Sequence, residues 1–267
     1  MKLFNLKILL EIMENIIITK KENYAFLKLD RGRGNAINMS MMNEMIEALD
    51  ILKKDDAVRG VILLGNDGIF SVGLDVKELL VLDKEGTKAF FRLFGKMVVK
   101  MASFPKILIA AINGHSPAGG CVMAICCDYR VMSDGPYTIG LNEVPVGIMI
   151  NPLIFGLYAF WIGERQAYHN FLSGKLCTPE EAKRYGLVDE ITSSEQVQEL
   201  AEMQLKNWLK HDHDTLVGVK HNIRMSHLNK IIGESEWEGL VDANEHFWKD
   251  TSRATLMKVI MALQQKK

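Results

Sequence analysis

The chain has 267 residues, of which 48% are hydrophobic and 24% are charged, and its formal net charge at pH 7 is −1. A chain of this size can bury a large core, either as one domain or as one domain with an appendage. The balanced charge argues against nucleic acid or an anionic membrane surface as the main partner, and no apolar run reaches the roughly 18 residues of a membrane span.

The N-terminal residues are the one candidate for a targeting segment. Lys7 and Glu11 interrupt their apolar run, and no small-residue cleavage site follows. We therefore interpret this segment as non-secretory and expect a cytoplasmic protein. Residues 1–12 are expected to be a short extension, because a strand-like run begins soon after Met13.

The four cysteines have no CxxC spacing, and three of them lie in apolar, helix-like sequence. This distribution indicates reduced, buried thiols rather than disulfides or a metal site. We accordingly expect no bound metal.

The first predicted elements are a β-hairpin, a helix and a buried strand. Two strand-like runs, IIIT and YAFLKLD, flank the polar stretch KKEN, which is typical of a hairpin. Apolar residues at helical spacing follow within 36–55, and Ser40 is the expected N-cap. The run from Gly60 to Gly65 has the continuous apolar pattern of a parallel strand buried on both faces.

Residues 76–104 predict one or two helices rich in large apolar side chains, with a break expected at Gly86. Two interpretations of these side chains stay open. They are either ordinary core or the wall of a pocket for a long apolar ligand; the candidates for such a wall are Phe90, Phe91, Phe94 and Met97.

The remaining pattern is a strand–helix alternation followed by helices alone. The predicted elements are a buried strand at 107–112, a short strand at 136–139, a helix over 152–172, a helix from Thr178 to Gly186 and a strand at 187–191. From Ser194 onward there are three or four amphipathic helical patterns. We expect an α/β core over 13–193 and a helical C-terminal region over 194–267.

Two glycine-bearing loops, 71–75 and 117–121, each follow a buried strand and precede a helix. Glycine lets backbone approach a ligand closely, and N–H groups at a helix start point outward in the positive field of the helix end. Two such N–H groups facing one carbonyl would form an oxyanion hole. The alternative is that the glycines only permit tight strand–helix packing. Neither loop has the pattern of a phosphate-binding loop.

Glu143 lies in an apolar, glycine-rich stretch, Ile139–Ile148. Desolvation there would raise its pKa and make it a better proton acceptor. The alternative is a glutamate on a surface turn. His115, beside the second glycine loop, is interpreted as a loop or packing residue rather than a catalytic base.

At these residues the chain resembles the crotonase, or enoyl-CoA hydratase/isomerase, superfamily. The resemblance covers roughly residues 14–265 and rests on three motifs: FSVGLDVKEL at 70–79, AAINGHSPAGGCVMAICCDYRV at 110–131 and TIGLNEVPVGI at 138–148. It implies an α/β fold with a β-β-α spiral core and a helical C-terminal trimerisation region. It also implies an acyl-CoA thioester substrate, self-association as a homotrimer or hexamer, and no cofactor, because CoA is part of the substrate.

The resemblance also assigns roles to individual residues. The backbone N–H groups of Leu74 and Gly119 would form the oxyanion hole, and Glu143 would be the base. The loop at 71–75 would line the path of CoA and pantetheine. The substrate-binding residues expected on this basis are Ser71, Val72, Gly73, Asp75, Asn142 and Phe94.

One departure from the family pattern separates the possible reactions. Enoyl-CoA hydratases use two glutamates, and the position of the first is occupied here by Val122. A 1,3 proton shift needs only a single base. The segments SPAGGCVMAICCDYRV and IGLNEVPVGI also resemble the mitochondrial-type 3,2-enoyl-CoA isomerases more than the hydratases. The alternatives are another reaction of the superfamily on an acyl thioester (hydration, decarboxylation or thioester hydrolysis) or a non-catalytic CoA-binding subunit.

Overall fold

The computed structural model describes residues 10–234 and 245–265. Its strands are β1 (Leu10–Ile12), β2 (Ile16–Lys20), β3 (Tyr24–Leu29), β4 (Gly60–Leu64), β5 (Gly68–Ile69), β6 (Ile107–Ile112), β7 (Gly114–Pro117), β8 (Tyr129–Ser133), β9 (Ile139–Gly140) and β10 (Glu190–Thr192). Its α-helices are α1 (Met39–Lys54), α2 (Val76–Val81), α3 (Lys84–Ala102), α4 (Gly119–Cys126), α5 (Pro152–Ile162), α6 (Glu164–Ser173), α7 (Pro179–Tyr185), α8 (Val197–Trp208), α9 (His213–Glu234) and α10 (Asp250–Gln265). Short 3₁₀ turns occupy Val144–Val146 and Ser194–Gln196.

The strands form two sheets that the chain visits alternately. A seven-stranded sheet has the order β1-β2-β3-β4-β6-β8-β10, antiparallel at the β1–β3 end and parallel from β3 onward. The short strands form a second, parallel sheet in the order β5-β7-β9. Each long strand of the central turns is thus followed by a short strand and then by a helix. The predicted β-β-α spiral and the helical C-terminal region are confirmed.

The long parallel strands are buried on both faces, as their unbroken apolar sequence predicts. Along β4, Val61 and Leu63 join the main core, whereas Ile62 joins a smaller cluster on the opposite face. Ala201 and Leu205 of α8 cover that second face. The main core fills the space between the sheet and α1, α3 and α4, and it therefore supports the helix that starts at the second glycine loop.

Two predicted helix boundaries are wrong, because a different side chain caps the helix in each case. The N-cap of α1 is Asn38 rather than Ser40, since its side chain accepts a hydrogen bond from the Met41 N–H at 2.9 Å. The break after α2 lies at Asp83 rather than at Gly86. Asp83 caps α3 by accepting from the Gly86 N–H at 2.7 Å.

Other elements are shorter or more divided than predicted. The helix over 152–172 is two helices, separated at Gly163, which has a φ of 78°. Leu187 and Val188 are buried, and the strand begins only at Glu190. The short strand predicted at 136–139 is Ile139–Gly140.

The termini of the predicted regions are only partly described. Leu10–Ile12, in the expected N-terminal extension, pairs with β2 as an edge strand, and residues 1–9 lie outside the described part. The region boundaries at residues 12 and 193 stay predictions.

All four cysteines are buried and free. In the described residues, no helix has the length and apolar character needed to cross a bilayer.

The second sheet depends on a close backbone approach at Gly114. A Cβ built there would lie 1.9 Å from the carbonyl carbon of Gly68 on the neighbouring strand. We expect Gly114→Ala to lower the free energy of unfolding by about 3 kcal/mol or more, because neither backbone can move without breaking the pairing. Urea denaturation measures the change.

Gly218, within α9, is the matched control, because a Cβ built there meets no atom within 4 Å. Gly218→Ala should raise the stability by up to about 1 kcal/mol, since alanine favours a helix interior. Equal effects of the two substitutions would contradict this account of the second sheet.

Candidate active site

The two glycine loops meet at the N-terminus of α4. A Cβ built on Gly73 would lie 3.0 Å from the Gly119 nitrogen, and one built on Gly119 would lie 3.3 Å from the Leu74 nitrogen. Gly73 also has a φ of 89°, a conformation that favours glycine. The lack of side chains at both positions therefore allows the backbones of the two loops to approach each other closely.

The N–H groups of Leu74 and Gly119 are left free by this arrangement. Ile37 donates to the Gly73 carbonyl and accepts from the Asp75 N–H, each at 2.8 Å. Because successive groups of an extended chain point to opposite sides, the Leu74 N–H points away from Ile37. Gly119 is the first residue of α4, where an N–H has no partner within the helix. In the described residues, neither N–H donates a hydrogen bond.

Ala118, directly before α4, holds a strained backbone conformation. Its φ is 49° and its ψ is −124°, values that are rare for a residue with a side chain. Its N–H donates to the Gly140 carbonyl at 2.8 Å, and its carbonyl accepts from the Val122 N–H at 3.0 Å. Such strain persists only where the surroundings fix the backbone, and it is concentrated at functional sites.

Glu143 is a buried carboxylate just before the turn Val144–Val146. Its residue surface is only 7% exposed, and its Oε2 atom has no hydrogen-bond partner in the described residues. Burial raises the pKa of Glu143 to about 7, because the charged form loses its hydration. Asn142 contributes a second buried oxygen, Oδ1, that also lacks a partner there.

Glu143 and Leu74 line a common cavity of about 620 Å³. The cavity also contacts Ala118 and Asn142, so it brings together the base and both glycine loops. Its walls are mostly apolar, as in pockets that bind small molecules. The apolar side chains that line it are Val72, Leu74, Val76, Val146, Ile148, Leu176, Leu256 and Ile260.

The C-terminal helix α10 closes one side of this cavity, which the sequence did not predict. Leu256 and Ile260 are one helical turn apart and both line the cavity. A Cβ built on Gly147 would lie 3.0 Å from the Ser252 carbonyl oxygen, so α10 packs directly on the Glu143 loop. The i, i+4 spacing of Leu256 and Ile260 was the available signal, but it does not identify the surface that they cover.

The other residues predicted from the first glycine loop have distinct places. Val72 and Asp75 line the cavity. Ser71 is buried behind the loop, where its Oγ donates to the Asn35 carbonyl at 2.8 Å and accepts from the Gly73 N–H at 3.1 Å. Ser71 therefore shapes the loop from behind rather than facing the cavity.

Asp75 is engaged on both sides. Its Oδ2 forms an ion pair with Arg31 at 2.8 Å, and its Oδ1 accepts from the Lys77 and Glu78 N–H groups at the start of α2. Arg31 also donates to the Ala36 carbonyl at 2.7 Å. Arg31 and Lys77 are the two cationic residues among the described residues that line the cavity.

Phe94 is not brought to this cavity. It lies on α3 and is buried in the main core, as are Phe90 and Phe91, and the described residues lining the cavity include none of the three. Val122 is likewise fully buried, within α4. Their positions match the ordinary-core interpretation of these apolar residues.

His115 packs rather than facing the cavity. Its Nδ1 accepts from the Thr138 N–H at 3.1 Å, and its ring lies edge-on against Tyr137. In the described residues, no group of three or more His, Cys, Asp or Glu side chains is placed to hold a metal ion.

A β-β-α spiral whose two glycine loops bring free N–H groups close to each other, beside a cavity with a buried carboxylate, defines a crotonase-type protein. Comparison with known families agrees, since the family model described as enoyl-CoA hydratase/isomerase matches residues 19–245. The chain belongs to the enoyl-CoA hydratase/isomerase family.

Individual relatives show which members of this family the chain is similar to. The chain is 34% identical over 245 residues to the mitochondrial enoyl-CoA delta isomerase 1 of Mus musculus, covering 91% of this chain and 84% of the relative. The crystal structure of human mitochondrial delta3-delta2-enoyl-CoA isomerase superposes with a TM-score of 0.91 at 27% identity, covering 95% of this chain and all of that one. An enoyl-CoA hydratase from Bacillus halodurans shares the fold, with a TM-score of 0.83 at 21% identity.

The burial of Glu143 predicts an unusual dependence of stability on pH. Its pKa is about 7 in the folded chain against an ordinary value of 4.5, so the folded state binds more protons between these two values. Stability contributed by the protonated group is therefore lost as pH rises through about 7. Glu143→Gln should raise the unfolding free energy at pH 8.5 by up to about 3 kcal/mol, and this gain should shrink toward pH 4.5.

Urea denaturation at several pH values measures this effect, and Glu181→Gln is the matched control. A hydrogen bond from Lys175 lowers the pKa of Glu181, so its substitution should reduce stability above pH 4.5 rather than increase it. A gain at Glu143→Gln that did not change with pH would mean that the carboxylate is not held as an unpaired buried acid.

Proposed function

We propose that the protein is an isomerase that moves the double bond of a 3-enoyl-CoA to give trans-2-enoyl-CoA in fatty-acid metabolism. The observation that carries this proposal is one buried carboxylate, Glu143, whose Oε2 has no partner in the described residues and which lines a cavity together with Leu74 and Ala118, the residue before Gly119. The similarity to mammalian enoyl-CoA delta isomerases over most of the chain supports the same reaction.

In the first step, the thioester carbonyl oxygen accepts hydrogen bonds from the N–H groups of Leu74 and Gly119. These bonds acidify the C2 protons, and Glu143 removes one of them. The negative charge moves onto the carbonyl oxygen of the resulting dienolate. The two N–H donors and the positive N-terminal end of α4 stabilise that charge.

In the second step, the protonated Glu143 returns the proton to C4 while the carbonyl forms again. The C3–C4 double bond thereby becomes a C2–C3 double bond conjugated with the thioester, and no atom is gained or lost. A pKa of about 7 suits both steps, because the carboxylate accepts a proton readily and its acid form donates one readily.

The cavity favours this reaction over hydration, which needs a second acid–base group to activate water. Glu143 and Asp75 are the two carboxylates among its described lining residues. Asp75 is engaged by Arg31 and by the start of α2. The hydratase position held by Val122 contributes only a buried apolar side chain.

The substrate proposed here brings its own CoA, so the reaction uses no separate cofactor. Arg31 and Lys77 suit the CoA phosphates, and Val72 and Asp75 lie beside them on the same wall. The apolar walls suit the acyl chain. The Oδ1 of Asn142, next to Glu143 in the chain, has no partner in the described residues and can accept a hydrogen bond from the bound substrate or from a water molecule beside it.

Self-association as a homotrimer or hexamer through the C-terminal helices is part of the same proposal. Apolar side chains exposed on α9 and α10 support it; they are Val219, Ile223, Met257 and Met261. A cytoplasmic location stays a prediction from the sequence, because the mammalian relatives are named as mitochondrial proteins.

Proton NMR of 3-hexenoyl-CoA with the purified protein in D₂O tests the reaction directly. We expect the vinyl signals of trans-2-hexenoyl-CoA, with solvent deuterium entering C2 or C4. The rate should fall about 10³-fold in Glu143→Gln. For the wild type, kcat/KM should rise with pH through about 7 and then level off, because only the carboxylate form acts as base.

Two results would contradict the proposal. Production of 3-hydroxyhexanoyl-CoA from 2-hexenoyl-CoA without any isomerisation would identify a hydratase. Binding of both thioesters without deuterium incorporation would identify a non-catalytic CoA-binding protein.

Gly119→Ala tests the oxyanion hole. Its new Cβ would lie 3.3 Å from the Leu74 nitrogen and 3.0 Å from Ile37 Cδ1. The two loops would have to move apart, which would displace the N–H donors. We expect kcat to fall about 10²-fold, the scale of losing one oxyanion donor, with the protein still folded. Gly218→Ala, remote from the cavity, should leave kcat unchanged. Equal rates for Gly119→Ala and wild type would place the thioester carbonyl elsewhere.

A further inference from the structure

The helix α4 joins the oxyanion hole to a polar cluster in the protein interior. All eight of its residues are buried, and at 1.5 Å per residue it is about 12 Å long. Its N-terminal residue is Gly119. Its other end presents the carbonyls of Ile125, Cys126 and Cys127. No N–H group of the helix donates to these carbonyls, because the last carbonyls of a helix have no partner within it.

Side chains from two other helices bind these carbonyls. The indole Nε1–H of Trp161, on α5, donates to the Ile125 carbonyl at 2.8 Å. Arg224, on α9, donates through Nη2 to the Cys126 carbonyl at 2.8 Å and to the Cys127 carbonyl at 3.0 Å. The last carbonyls of α4 are thus held by donors that come from different parts of the chain.

A second guanidinium, from Arg130 on β8, completes the cluster. Its Nη1 donates to the Cys127 carbonyl at 3.0 Å, and its Nη2 forms an ion pair with Asp189 at 2.6 Å. Arg130 is fully buried, and Arg224 is only 4% exposed. Their Cζ atoms lie 3.7 Å and 5.0 Å from the ring centroid of Trp161. Two cations at this end also complement the negative end of the helix dipole.

The opposite end of α4 is held differently. Ala118, its N-cap, makes no side-chain capping hydrogen bond, and the Gly119 N–H is free of protein acceptors in the described residues. A donor that must bind a ligand cannot also be used to hold the helix in place. The N-terminal end is held through backbone, since the Ala118 N–H donates to the Gly140 carbonyl at 2.8 Å, whereas the side-chain hydrogen bonds to the ends of α4 lie at its carbonyl end.

We propose that Arg224, Arg130 and Trp161 are positioning residues that hold the C-terminal end of α4 and thereby place the Gly119 N–H in the oxyanion hole. This inference rests on the proposed function, because it assigns a carbonyl ligand to that N–H. None of the three residues lines the cavity, so they act on the reaction through the helix. Small displacements of a catalytic group are costly, about 10²-fold for 1 Å.

The same contacts link the helical C-terminal region to the site. Arg224 belongs to α9, and α9 also carries Lys220, whose Nζ donates to the Lys106 carbonyl and to Asp128 Oδ2, each at 2.6 Å. Lys220 anchors α9 to the core one helical turn away but touches no carbonyl of α4. Asp128 Oδ1 also lies 3.8 Å from Arg224 Nε, so Lys220 reaches Arg224 only through this carboxylate. Lys220 therefore serves as the control for the loss of a buried cation from α9.

The test uses the carbonyl stretching frequency of bound trans-2-hexenoyl-CoA labelled with ¹³C at the thioester carbonyl, measured by infrared difference spectroscopy. Hydrogen bonds from the oxyanion hole should lower this frequency in the wild type. Arg224→Met and Trp161→Phe should each lose part of that shift, and kcat should fall about tenfold, below the roughly 10²-fold loss of a complete donor, with KM nearly unchanged. Arg224→Lys should recover part of both.

Lys220→Met should destabilise the protein but keep the full carbonyl shift, which separates positioning from general loss of stability. The shift is measured per bound ligand, so partial unfolding of Arg224→Met does not alter it. If Arg224→Met fails to fold, Trp161→Phe tests the same role, because it keeps an aromatic ring and removes only the indole N–H donor. A full shift in the folded variants would overturn the positioning role alone. A wild-type protein that binds the thioester without any shift would overturn the proposed function as well.

Discussion

The structure depends on three polar groups of the site that are kept without partners. The N–H groups of Leu74 and Gly119 and the Oε2 of Glu143 have no hydrogen bond in the described residues. A buried polar group left in this state typically costs about 1–3 kcal/mol. The chain tolerates three of them because sheets, glycines and helices around the cavity determine the backbone there independently of these groups.

The two sheets divide that task. The seven-stranded sheet, buried on both faces, provides most of the apolar core and fixes where each turn of the spiral begins. The small β5-β7-β9 sheet then positions the glycine loops 71–75 and 117–121 so that they contact each other. Its strands approach so closely at Gly114 that no side chain fits between the backbones. The strained φ of Ala118 is retained between β7 and α4, where its N–H and its carbonyl both form hydrogen bonds.

Local sequence was sufficient for the features that follow from composition and spacing. The buried parallel strands, the glycine loops and the helix that starts after Thr178 are all visible in short windows of sequence. The apolar context of Glu143 likewise indicated the burial that raises its pKa. These features depend on residues close together in the chain, so a single sequence carries them.

The features that sequence missed depend on competition or on distant contacts. Asn38 and Ser40 are both good caps two residues apart, and only the backbone geometry selects Asn38. The aromatic side chain of Phe94 could suit either a core or a pocket, and tertiary packing put it in the core. Leu256 lies more than 100 residues after Glu143 in the chain, yet both line the same cavity, so no local pattern identifies their contact with it.

The position of α10 has a consequence for how the protein is made. Glu143, Leu74 and Gly119 all precede residue 150, whereas Leu256 and Ile260 supply part of the cavity wall. During synthesis, which proceeds from the N-terminus, the chemical groups of the site can be in place before that wall exists. The nascent chain then exposes an apolar surface that later becomes the cavity wall, and such surfaces promote aggregation. Folding of α10 therefore covers this surface as well as completing the cavity.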